Sequence, residues 1–127
     1  MWRNEQGMTS IASTAASYER PIDLVHLARQ TLGDRGLEQE ILTLYLKQAQ
    51  SLLARIEQSP CARERSDIAH TLKGSSRAVG AWQVATAAEA VEIVPPERSS
   101  EFCSAVEALR TCVNDACDTI ADLQRAH

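Results

Sequence analysis

Apolar residues recur along this chain at steps of three and four, the period of one face of an α-helix. After Pro21-Ile22, Asp23 is placed to cap a short helix carrying Leu24, Leu27, Ala28 and Leu32 on one side, and Gly33 ends it. Leu42, Tyr45, Ala49, Leu52 and Ile56 mark a narrow stripe on a longer helix over about 37–58, closed by Ser59-Pro60. A third helix is expected over 62–79, with Ile68, Leu72, Ser75 and Val79 inward and Gly80 as its stop. A fourth follows at once, from Ala81 to about Ile93, and buries Val84, Ala88 and Val91 before Pro95-Pro96 breaks it. The last runs from about Ser99 to Gln124, and its stripe is the most regular: Phe102, Val106, Leu109, Val113, Ala116, Ile120 and Leu123.

Four amphipathic helices with short connections predict an all-α fold, an antiparallel four-helix bundle with a short extra N-terminal helix. The last stripe could also pair with a second copy, but a monomer is the simpler expectation. At 127 residues the chain suits one domain with its own core. Aromatics make up only 4% of it, which favours close-packed helices over a sheet. Residues 1–20 are small and polar and read as a flexible N-terminal tail, leaving the domain at 21–127.

The formal net charge is −4 and no long basic run occurs, so no nucleic-acid partner is expected. Positive charge is local: Arg63, Arg65, Lys73 and Arg77 fall in one short stretch, suited to an acidic protein or a phosphate. Cys61, Cys103, Cys112 and Cys117 form no C-x-x-C pair and no zinc-ligand spacing with a histidine. They read as reduced thiols in or beside the core, and no metal site is expected. His26 and His127 have no evident local partner, and Asp115, Asp118 and Asp122 read as a solvated face. No signal-peptide or membrane-spanning run is present, so the expected location is cytoplasmic, with no membrane partner.

Candidate chemistry concentrates in Asp67–Ala81. On a helix at 100° per residue, His70 lies roughly 170° from the mean of the inward cluster, with Lys73 and Arg77 on the same outer side. Gly74 sits beside it in mid-helix, where it costs about 1 kcal/mol relative to Ala. That cost implies that something approaches the backbone closely there. Lys73, three residues after His70, disfavours a second positive charge and so favours the neutral imidazole, the nucleophile needed for phosphoryl transfer. The same ammonium can then pair with phosphate oxygens. Ser75 is small enough for close helix packing and can bond back to the Thr71 carbonyl.

The run His70-Thr71-Leu72-Lys73-Gly74-Ser75-Ser76, followed by Val79-Gly80-Ala81, resembles the signature of histidine phosphotransfer (Hpt) domains of two-component phosphorelays. The likeness extends as helical pattern over roughly residues 21–124. Trp82 and Ala87 depart from it, standing where a smaller aliphatic and a larger apolar residue are usual. The resemblance implies a phosphocarrier module, not a complete enzyme, that relays a phosphoryl group between receiver-domain aspartates through phosphohistidine at His70. Lys73 would support the phosphate. Gly74, Arg77 and Ser66 would serve access and partner docking, and Ser75 and Gly80 would be structural. The implied partners are response-regulator receiver domains and a sensor or hybrid histidine kinase. No cofactor would be bound by this chain, the Mg²⁺ being held by the receiver. A non-phosphorylated helical adaptor that binds a receiver or kinase is the alternative, and the presence of His70 and Lys73 weighs against it. A kinase substrate module is less favoured, because no ATP-binding motif is recognisable and the chain closes just after the bundle.

Overall fold

Local capping chemistry sets where each helix begins and ends in this computed structural model, which describes residues 20–125. Except for Arg20, the expected tail lies outside the described residues. Helix α1 spans Leu24–Thr31, and the Asp23 side chain accepts from the His26 backbone N–H at its start. Helix α2 spans Arg35–Gln58 and is capped in the same way by Asp34, which accepts from Leu37 N–H. Helices α3 (Ala62–Val79) and α4 (Trp82–Ile93) form a hairpin, and α5 covers Ser99–Arg125. The expected all-α bundle is the observed fold: α2 to α5 surround one core, and α1 lies across α2 and α3.

The apolar stripes meet as their spacing predicts. Leu42, Tyr45, Ala49, Leu52 and Ile56 of α2 are buried, as are Ile68, Leu72 and Val79 of α3. Val84, Ala88 and Val91 of α4 pack with Val106, Leu109, Val113, Ala116 and Ile120 of α5. Each fully buried Leu or Ile contributes about 1.5–3 kcal/mol through removal from water. Ala69, Ala81 and Ala88 are fully buried small residues that let α3 and α4 approach closely.

Three expectations are corrected. Leu24 and Leu32 do not join the α1 core face; Leu32 is 93% exposed and takes the left-handed C-cap position at φ 54°, ahead of Gly33 at φ 80°. Ile22 and Thr31 are buried there instead. Ser75 is only half-buried and donates to the Leu72 carbonyl rather than that of Thr71. The fully buried serine is Ser76, whose hydroxyl lies 2.7 Å from that of Tyr45; burial pushes the Tyr45 phenol pKa up, which keeps it neutral. Finally, Cys61 and Cys103 are exposed; of the four thiols only Cys117 is buried.

The α3–α4 corner is fixed by Gly80. Its φ of 82° is left-handed, the Ala81 N–H donates to the Ser76 carbonyl, and the Asp23 N–H donates to the Gly80 carbonyl. A Cβ at Gly80 would stand 3.0 Å from the Asp23 carbonyl oxygen. Trp82, one of the departures from the family pattern, donates its indole N–H to Asp23 Oδ2 at 2.9 Å and meets the His26 ring edge-on at 4.9 Å. His26 Nε2 lies 3.2 Å from the Ala78 carbonyl oxygen, so this histidine does have a partner, one brought near by the fold rather than by sequence spacing. Together these contacts fasten α1 to the corner.

Candidate functional site

His70 projects from the middle of α3 with its side chain 67% exposed, as the helical projection predicts. The hairpin brings one further residue to it. His70 Nδ1 lies 2.8 Å from Glu92 Oε2, and Lys73 Nζ lies 2.8 Å from Glu92 Oε1. Lys73 is 14% and Glu92 22% exposed, so both charges sit in a partly desolvated seam between α3 and α4, while the imidazole stands outside it. The hydrogen bond from Lys73 holds the Glu92 carboxyl below the ordinary carboxylate range. Partial burial opposes that effect, and the His70 contact reinforces it.

An ionised carboxylate only accepts hydrogen bonds, so a hydrogen bond here has the proton on Nδ1; in the neutral ring of that tautomer the lone pair is on Nε2. Lys73 has a partner that the helical projection does not give. Its charge is paired with Glu92 rather than left free beside the ring, and the carboxylate links the two residues.

Gly74 is exposed, and a Cβ there would meet nothing within 4 Å among the described residues. Among the described residues no neighbouring helix packs against this glycine, which lies beside His70 on α3. Arg77 is exposed and only loosely paired, 4.0 Å from Glu89. Ser66 is half-buried, and its hydroxyl donates to the Glu92 carbonyl at 3.1 Å. Arg65, part of the basic stretch, lies with its guanidinium 4.4 Å from the centroid of the Phe102 ring and donates to the Ser59 carbonyl.

Glu92 is not singled out by periodicity or by a local motif. The hairpin itself carries the signal: His70 is ten residues before Gly80 and Glu92 eleven after Ala81, so an antiparallel turn at 80–81 sets them opposite each other. Among the described residues no group of three or more His, Cys, Asp or Glu side chains is placed to hold a metal ion. No helix there is long and apolar enough to cross a membrane.

The described residues form a helical bundle that presents His70 beside an exposed glycine, Gly74, and a partly buried cation, Lys73. A sequence model of the Hpt domain family matches residues 40–126, more than half of the chain. The chain belongs to the Hpt domain family, and its role is that of a phosphorelay carrier. Proteins of this family interact with receiver domains and histidine kinases in two-component relays. Among solved structures, a rice protein described as a candidate histidine-containing phosphotransfer protein superposes with a TM-score of 0.71. The two share 22% identity over 96% of this chain and 94% of the other, which establishes the common fold. No curated protein matches the sequence.

Proposed function

We propose that His70 is the phosphoacceptor and that the group is carried on Nε2. The observation that carries this reading is the 2.8 Å contact of Nδ1 with Glu92, which leaves Nε2 as the exposed lone pair. In transfer from a receiver, the Nε2 lone pair forms the N–P bond as the acyl-phosphate O–P bond breaks, and the electron pair of that bond returns to the receiver aspartate. The ring, still protonated at Nδ1, gains positive charge, and the Glu92 carboxylate stabilises it. Return transfer reverses each movement, with the pair from the N–P bond going back to Nε2.

Lys73 is the phosphate-supporting cation of this reading. Its Nζ lies at the edge of the seam, where a charge-assisted bond to a phosphate oxygen is stronger than in open water. Gly74 and Arg77 belong to the docking face, since both are exposed next to His70. The chain contributes the acceptor and its orientation; Mg²⁺ and the remaining catalytic groups stay with the partner receiver, so the module is a carrier rather than an enzyme. Receiver domains and a sensor or hybrid kinase are its partners, and a monomeric, cytoplasmic chain suffices for the role.

Incubation with a receiver carrying radiolabelled aspartyl phosphate tests the reading. Label is expected to move to this chain and on to a second receiver. Transfer undiminished in His70→Gln would overturn the assignment and leave the adaptor as the better account.

A further inference from the structure

The last turn of a helix leaves its carbonyls without N–H partners inside the helix. At the end of α4 the sequence makes this worse. The Glu92 carbonyl would ordinarily accept from the N–H four or three residues on, and those positions are Pro96 and Pro95, neither of which has an N–H. The donor comes instead from the neighbouring helix: the Ser66 hydroxyl, 3.1 Å away. Ser66 lies one turn before His70 on α3. Residue 92 is therefore gripped at three atoms from one helix, its backbone oxygen by Ser66, Oε2 by His70 and Oε1 by Lys73.

We infer that Ser66 is a positioning residue for phosphoryl acceptance, acting on His70 through the backbone of Glu92. The inference rests on the reading of His70 as phosphoacceptor. The two side-chain contacts to Glu92 involve a mostly exposed ring and the end of a long lysine side chain, and both reach the carboxylate rather than the main chain of α4. The Ser66 bond joins a short, rotamer-limited side chain to the main chain itself. It sets the distance between the carboxylate and Nδ1, and with it the fraction of rings that keep the proton on Nδ1 and the lone pair on Nε2. Because Pro95-Pro96 remove the local donors, no N–H three or four residues on replaces this hydroxyl when it is lost.

The test uses the full chain as wild type, Ser66→Ala and Ser66→Thr. Two quantities are measured: the tautomer ratio of the His70 ring from its ¹⁵N chemical shifts, and the initial rate of phosphorylation by phosphoramidate. Ser66→Ala is expected to move the ring toward the Nε2–H tautomer and to slow phosphorylation about fivefold, the rate equivalent of one ordinary hydrogen bond. Ser66→Thr is expected to restore both. Wild-type ring shifts and rate in Ser66→Ala would overturn the inference, as would a defect that Thr does not repair, which would mark general packing damage. If the wild type accepts no phosphoryl group at all, the phosphoacceptor reading fails on its own, while the ring shifts still decide whether Ser66 sets the tautomer.

Discussion

His70 Nδ1 and Glu92 Oε2 lie 2.8 Å apart across the α3–α4 seam, and the His70 side chain is otherwise largely exposed. Hydrogen bonds to charged groups contribute about 1.5–3 kcal/mol. Glu92→Ala should therefore slow phosphoryl acceptance by about tenfold or more. Glu92→Gln, whose amide oxygen can still accept from Nδ1–H, should fall between the variant and the wild type. Initial rates with phosphoramidate measure both.

Lys73 should matter in two separable ways. Lys73→Ala should slow acceptance by about tenfold, through loss of a charge-assisted phosphate contact. It should also let the Glu92 carboxyl pKa rise toward its ordinary value, because the Lys73 hydrogen bond is the main cause of its depression. A ¹³C-detected titration of the Glu92 carboxyl checks the second effect without any phosphoryl donor.

Gly74→Ala should separate stability from partner access. The site is mid-helix with open space around it, so Ala should stabilise the fold by about 1 kcal/mol. The added methyl should hinder a docked receiver but not a small donor. The expected pattern is a higher denaturation midpoint, unchanged phosphorylation by phosphoramidate and slower transfer from a phosphorylated receiver.

Acid should loosen the molecule at two known carboxylates. At Asp23, burial pushes the carboxyl up, but the Trp82 indole and the backbone N–H bonds at the start of α1 outweigh it, and the net direction is down. Glu92 is also depressed, chiefly by Lys73. A depressed folded value means stability that is fully present above the unfolded pKa of about 4 and is lost as pH falls through the folded value. Urea midpoints measured from neutral pH downward should therefore drop less steeply in Asp23→Asn and in Glu92→Gln than in the wild type. Asn still caps α1, so the Asp23 comparison isolates the charge.

The helices, their order and the exposure of His70 were legible in the sequence because each depends on local periodicity and on punctuation by Asp23, Gly80 and Pro95-Pro96. The partners of Lys73 and Ser66 were not, since both meet Glu92, more than a dozen residues away, through the hairpin. The inward serine was misplaced by one position. Ser75 and Ser76 differ by 100° around the helix, and the pairing of Ser76 with Tyr45 of α2 decides which one is buried. Leu24 and Leu32 lie at the edge of the apolar face of a helix only two turns long, where the neighbouring elements decide which positions are covered.

The most direct test of the central claim is intact mass after incubation with phosphoramidate, run beside a His70→Ala control and repeated after brief acid treatment. The account predicts a single phosphoryl adduct on the wild type, absent from the control and lost in acid, as expected of a phosphoramidate bond on a ring nitrogen. An adduct of equal size on His70→Ala, or one that survives acid, would contradict it.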